Sequence, residues 1–168
     1  MKKGTLVSVL VTLLLTLLPL TAFASYTISP AILAGQTTNV GVVKITGNAD
    51  GSLTLVYMLK GAQGWCMTDS AVHVGLTLDD FPQNAGGAIP GQFDYQYDFG
   101  GCVKSATVTI ADPPGDKGDI YIAIHINVYG PDGQQDTAWV VRCGNLEGGQ
   151  FPGSNWSAWL WFPAVAWY

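Results

Sequence analysis

Branched aliphatic residues occupy every second position of one segment: Ile120, Ile122, Ile124, Ile126 and Val128. The positions between them hold aromatic, small and polar residues: Tyr121, Ala123, His125 and Asn127. Because successive side chains of a β-strand point to opposite faces, this alternation predicts a strand over 119–129 with one core face and one polar-aromatic face. A chain built around such a strand must form a sheet that is covered on at least one side.

Glycine-rich turns separate further alternating runs along the chain, and no segment after residue 24 places apolar residues at helical spacing over three turns. The Asp50-Gly51 dipeptide between 40–45 and 53–59 is typical of a hairpin. Other strands are expected at 72–78, 92–99, 103–110, 119–129, 135–141 and 155–162. This pattern predicts an all-β fold, a two-sheet antiparallel β-sandwich of about eight strands that is Ig-like or jelly-roll-like.

The first 24 residues have the three parts of a secretory signal peptide. Lys2 and Lys3 precede an apolar run over 6–20, and small residues at Ala22 and Ala24 form a cleavage site. We therefore expect an exported protein, secreted or at the cell surface with the periplasm as a further possibility, and a single mature domain over 25–168. No later segment is apolar over the length that a membrane helix needs, so no membrane span is expected after cleavage.

Export makes disulfide formation possible for the three cysteines, Cys66, Cys102 and Cys143. An odd number predicts one pair and one free thiol, or a bridge between chains. A Cys66–Cys102 bond and a Cys66–Cys143 bond are both compatible with the sequence.

Only 11% of the residues are charged, and the formal net charge is −5. Removal of Lys2 and Lys3 with the signal peptide leaves five basic residues against twelve acidic ones, a net charge of −7. Binding to nucleic acid depends on cationic side chains that neutralise phosphates. The composition therefore argues against nucleic acid as a partner.

Six short motifs together resemble a module that recurs, largely uncharacterised, in secreted and surface proteins of prokaryotes. They are GWCMT at 64–68, AVHVG at 71–75, PGQF at 90–93, YIAIH at 121–125, DTAW at 136–139 and FPGSNW at 151–156. The resemblance implies an extracellular β-sandwich, alone or as one unit of a larger surface protein, and its motifs indicate a fold more than an activity. Asp136 departs from the pattern, which usually has Glu at that position.

Two histidines fall on the polar-aromatic faces of their predicted strands, His73 and His125. If these strands are neighbours, the imidazoles could lie side by side and, with Asp69, Asp79 or Asp80 nearby, hold a divalent metal. The alternative is that each histidine bonds loop backbone and no cofactor is bound. No catalytic residues are predicted, because Ser70 and Cys66 lie outside any known nucleophile motif.

Aromatic residues are concentrated at the C-terminus, where the candidates for binding are Trp159, Trp161, Trp167 and Tyr168. Flat exposed rings can stack on sugars or be buried in a partner. Because Pro163 interrupts the last strand, residues 164–168 are expected to mediate association, including self-association, rather than folding. The sequence thus favours a non-enzymatic surface module that binds carbohydrate or protein, and the alternative is a metal-dependent extracellular enzyme that uses His73 and His125.

Overall fold

A computed structural model describes residues 25–115, 118–142 and 144–163. The predicted signal peptide, Cys143, and the candidate binding residues Trp167 and Tyr168 lie outside these ranges.

The described residues form an all-β fold, as the sequence predicts. Its thirteen strands are β1 Tyr26–Ile28, β2 Ala31–Ala34, β3 Thr38–Gly47, β4 Leu53–Leu59, β5 Cys66–Gly75, β6 Gln83–Asn84, β7 Gly87–Ala88, β8 Tyr95–Val103, β9 Ser105–Ile110, β10 Ile120–Tyr129, β11 Gln135–Val141, β12 Gly148–Gln150 and β13 Ala158–Phe162. Single 3₁₀ turns lie at Gly61–Gln63, Leu78–Asp80 and Pro90–Gln92. Within these ranges no helix has the length and hydrophobicity to cross a membrane.

Antiparallel ladders join eleven of these strands into one continuous sheet. Its main path runs β12-β13-β10-β11-β2-β3-β4-β9, with β1 beside β3. The long strand β10 also pairs along its length with β5, and β5 pairs with β8. β10 is therefore central: β5 lies along one edge, and β13 and β11 share the other.

The sheet folds over so that two layers pack face to face, joined at the β2–β11 ladder. Tyr57 on β4 shows this packing, since its ring meets Phe99 on β8 and its hydroxyl lies 2.9 Å from the Ser70 hydroxyl on β5. Neither β5 nor β8 pairs with β4 in a ladder, so these contacts join the two layers.

The strand count exceeds eight partly because β1 and β2 are separated at Pro30, which has no N–H for a ladder.

The core between the layers takes the alternate residues that the sequence pattern indicates. Ile120, Ile122, Ile124, Ile126 and Val128 of β10 are all at most 1% exposed. The opposite face of β10 is also covered, by a second apolar cluster that includes Phe81, Phe93, Trp139 and Phe151. These residues come from the 76–94 loop, β11 and the segment before β13.

The predicted strand over 72–78 is wrong at both ends. β5 runs from Cys66 to Gly75, and Leu76, which continues the apolar alternation of Val72 and Val74, lies outside the strand and is 51% exposed. The chain leaves the sheet here because the Asp80 carboxylate accepts hydrogen bonds from the N–H groups of Leu76 and Thr77, both at 2.8 Å. A side chain that takes up backbone donors in this way replaces a strand ladder with a turn.

A disulfide joins Cys66 at the start of β5 to Cys102 in β8. The two Cα atoms are 5.3 Å apart, within the usual range for a disulfide. Of the two pairings that the sequence left open, this is the one formed. It closes a loop across a sequence separation of 36 residues.

Candidate functional site

His73 lies on β5 beneath the 76–94 loop and is 6% exposed. Its ring contacts Phe81 and Phe93, with centroids 4.8 and 5.6 Å away. Nε2 lies 3.1 Å from the carbonyl oxygen of Asp80, and because a carbonyl can only accept, this contact assigns the proton to Nε2. The other nitrogen, Nδ1, is 3.3 Å from the carboxylate of Asp94 but without hydrogen-bond geometry. His73 thus bonds to the backbone of the loop that covers it.

His125 lies on β10, which pairs with β5. This is the condition under which the two histidines could lie side by side. In the β5–β10 ladder His125 is opposite Ala71, and His73 is opposite Ala123. Aromatic contacts link the two imidazoles indirectly: His73 contacts Phe93, Phe93 contacts Trp139, and Trp139 contacts His125. Burial lowers the pKa of His125 to about 4, although the charge of Asp69 opposes this shift.

Of the three aspartates proposed with the histidines, Asp79 and Asp80 are exposed loop residues, whereas Asp69 on β5 accepts a hydrogen bond from the Asn127 amide at 2.7 Å. The N–H groups of Thr77 and Leu76 lower the pKa of the Asp80 carboxylate by donating hydrogen bonds to it. Across the part of the chain that the structure describes, no three His, Cys, Asp or Glu side chains are grouped so that they could hold a metal ion. Ser70 bonds to Tyr57 within the core, whereas His73 lies on the other face of β5.

The depressed pKa of His125 predicts a pH-dependent stability. An unfolded histidine titrates near 6.5, so between about pH 6.5 and 4 the unfolded chain binds a proton that the folded chain excludes. The free energy of unfolding should therefore fall by up to about 3 kcal/mol as the pH drops through that window. Urea unfolding at a series of pH values would measure this. In His125→Gln the decline over this window should largely disappear, and an unchanged slope in that variant would contradict the assignment.

The aromatic candidates Trp159 and Trp161 are half-buried on β13. Trp159 packs edge to face on Tyr121, with ring centroids 5.4 Å apart, and its Nε1–H donates to the Gln150 carbonyl at 3.3 Å. Its indole lies over Gly149, where an added Cβ would come within 2.9 Å of the ring. Trp159 therefore supports the short strand β12, which forms part of a nearby groove.

This groove, of about 360 Å³, is half-open to solvent and lies where the ends of β2 and β11 approach β12. Its apolar wall is formed by Leu33, Val141 and Ala158, and its backbone wall by Gly148 and Gly149. The polar side chains that line it are Gln36, Gln150 and Arg142. All three are exposed, and Trp156 adds a half-buried indole.

Gln36 reaches the groove from a strained turn between β2 and β3. Thr37 donates its N–H to the Ala34 carbonyl, and the two residues between them, Gly35 and Gln36, have φ values of 52° and 73°. Gln36 is the one non-glycine residue of the described ranges with a positive φ. A left-handed glutamine costs free energy that glycine would avoid, and such outliers are often found at functional sites.

Trp156 is held in place by the segment on either side of it. Phe151 donates its N–H to the Ser157 carbonyl at 3.0 Å, and Asn155 donates to the Gly86 carbonyl at 2.7 Å. Phe151 is buried in the second apolar cluster, in contact with Phe81. Backbone hydrogen bonds therefore fix the segment that carries Trp156, and the Trp156 side chain packs against the second apolar cluster.

The sequence did not predict this groove. In the sequence, Trp156 belongs to the FPGSNW motif at 151–156. No local pattern connects Gln36 with Arg142, because the two residues are distant in the chain. No protein-family model, curated protein or solved structure matches the chain.

Proposed function

We propose that the mature protein is an exported, non-enzymatic module of the cell surface that binds carbohydrate in the groove beside Trp156. The observation that carries this proposal is the combination of a fixed indole, an apolar wall and two exposed amides around one half-open space of about 360 Å³. Specific small-ligand sites usually join an apolar surface to a few placed polar groups, and this volume falls at the lower end of their range.

The chemistry of the groove suits a sugar ring. A pyranose has faces of C–H groups that pack on aromatic or aliphatic side chains, and a rim of hydroxyls that donate and accept hydrogen bonds. Trp156 and Leu33 offer apolar surface, whereas the amides of Gln36 and Gln150 can each donate and accept. The groove therefore combines apolar side chains for the faces of a sugar ring with amide side chains for its hydroxyls.

The groove is also preorganised. Leu33 and Val141 of its apolar wall belong to the β2–β11 ladder, in which Trp139–Val141 pair with Ala31–Leu33. Ala158 and the backbone wall belong to the β12–β13 ladder. Ordering flexible side chains and loops on binding reduces affinity. A site on paired strands avoids much of that cost.

Three features support the surface location. The N-terminal 24 residues have the secretory pattern, the Cys66–Cys102 disulfide suits an oxidising compartment, and the six motifs resemble a module of secreted and surface proteins. The predicted association through residues 164–168 stays a proposal, because those residues lie outside the described part of the chain.

Replacing Trp156 by alanine should lower the affinity for a bound polysaccharide by about tenfold or more, because the apolar surface of an indole contributes at least 1–2 kcal/mol when covered. The measurement is retention of the mature protein on immobilised cellulose, chitin, xylan and pectate, followed by titration calorimetry with oligosaccharides of the one that binds.

Trp161→Ala is the matched control, since Trp161 is also half-buried but does not line the groove. Gln36→Gly provides a second variant that should fold well, because glycine suits the positive φ, yet should bind more weakly. Retention that is lost in Trp161→Ala and kept in Trp156→Ala would place binding elsewhere. A wild-type protein that none of the four polysaccharides retains would contradict the proposed function.

A further inference from the structure

Arg142 follows the last residue of β11 and, among the residues that the structure describes, is the one charged side chain that lines the groove. It is exposed, and within the described ranges no carboxylate lies close enough to form an ion pair with it. A guanidinium presents five donors in a fixed plane and no acceptor. The groove therefore offers a cation whose hydrogen-bonding groups are available to a ligand.

The surrounding charges make this cation unusual. The mature chain carries a net charge of −7 by sequence, and apart from Arg142 the cations within the described ranges are Lys44, Lys60 and Lys104. None of these lysines lines the groove. A purely neutral ligand would need only the indole and the amides, and the arginine adds a donor set that matches an anion.

Resting on the proposed function, we propose that the groove selects carbohydrates that carry a carboxylate, of the uronic acid class. The Arg142 guanidinium can donate two parallel hydrogen bonds to a carboxylate in a bidentate pair, which is the geometry that distinguishes arginine from lysine. Trp156 and Leu33 pack against the ring, and Gln36 and Gln150 bind its hydroxyls.

Two nearby acidic residues oppose this preference without occupying the groove. Asp136 lies against Gly35, and its carboxylate accepts a hydrogen bond from Thr137 N–H at 2.7 Å. Glu147 is exposed and precedes Gly148. Exposed charges are screened over about 8 Å at physiological ionic strength, whereas a bidentate contact acts at hydrogen-bond distance. The selectivity therefore depends on the direct contact with Arg142.

Trigalacturonic acid and its methyl ester provide matched probes, because the ester keeps the ring and hydroxyls but removes the negative charge. Titration calorimetry of the mature protein at physiological ionic strength should show about tenfold tighter binding of the acid. Arg142→Gln should abolish that difference, because it should weaken binding of the acid much more than binding of the ester. Arg142→Lys should retain only part of the preference, because an ammonium cannot form the bidentate pair.

The thermal midpoint of Arg142→Gln should equal that of the wild type, since the side chain is exposed and unpaired, so that any loss of binding reports on the ligand. Equal binding of acid and ester by the wild type, or a preference for the acid that survives in Arg142→Gln, would overturn the inference and leave the proposed carbohydrate function standing. If neither probe binds and none of the four polysaccharides is retained, both the inference and the proposed function fail. Binding of a neutral polysaccharide with no binding of either probe overturns the inference alone.

Discussion

Tyr57→Ala is expected to lower the free energy of unfolding by about 3–5 kcal/mol, the range found when a large aromatic side chain is removed from a core. Tyr57 is completely buried between the two layers. Its ring contacts Phe99, and its hydroxyl is 2.9 Å from that of Ser70. Alanine would leave a cavity where the layers meet, and urea unfolding followed by circular dichroism would measure the loss.

Tyr57→Phe separates packing from hydrogen bonding. The ring is kept, and the Ser70 hydroxyl can still donate to the His125 carbonyl at 3.2 Å, so the expected cost is about 1 kcal/mol. Burial raises the pKa of the Tyr57 phenol above its ordinary value, and the hydroxyl is therefore neutral in this setting. If the alanine variant loses no more than the phenylalanine variant, the two layers do not pack together at Tyr57 as described.

Replacing Cys66 and Cys102 together by serine should destabilise the mature protein by about 4 kcal/mol. In the chain-entropy account, a cross-link across about 36 residues removes this much conformational freedom from the unfolded chain. Denaturant unfolding without reductant would give the difference. Reduced wild-type protein provides the control, because it should match the double variant closely.

Thiol titration gives a separate check on the same bond. Denatured but unreduced wild-type protein should show one free thiol per monomer, since the chain has three cysteines and two are joined. A disulfide-linked dimer would show none. Three free thiols would contradict the disulfide and the stability that it is expected to provide.

The strand pattern was predictable wherever side chains alternate strictly. β10 matches its predicted span to within one residue, because five aliphatic residues at every second position fit only one face of a strand. The predicted C-terminal end of β5 is wrong because Leu76 continues the apolar alternation beyond the strand. The sequence does not show that the Asp80 carboxylate turns the chain after Gly75. A side chain that bonds backbone N–H groups a few residues away can end a strand. Whether it does so depends on three-dimensional geometry, which the alternation of apolar residues does not reveal.

Part of the site could also be anticipated. His73 and His125 were placed on the polar-aromatic faces of their strands, and the structure shows that these strands are adjacent, which the sequence left open. The two imidazole rings make different contacts: His73 bonds to the loop backbone, and His125 packs on Trp139. Which aromatic side chain fills the space beside each imidazole depends on tertiary packing.

The groove was beyond the reach of sequence patterns for a physical reason. Its parts come from the β2–β3 turn, the end of β11, the strand β12 and the segment before β13. The β2–β11 and β12–β13 ladders bring them together, because β10 pairs with both β11 and β13. The positive φ of Gln36 is equally hidden, because glutamine is not a residue that marks a left-handed turn.

The most direct test of carbohydrate binding in the groove is a two-dimensional ¹H–¹⁵N NMR titration of the labelled mature protein with trigalacturonic acid. We expect the largest shifts at the indole N–H of Trp156 and at the backbone amides of Gln36, Gly148 and Gly149, with little change at the indole of Trp161. Shifts confined to Trp161 or to the 76–94 loop would contradict carbohydrate binding in the groove. A spectrum that the sugar and its methyl ester both leave unchanged would contradict the preference for uronic acids, and it would contradict carbohydrate binding altogether if none of the four polysaccharides is retained.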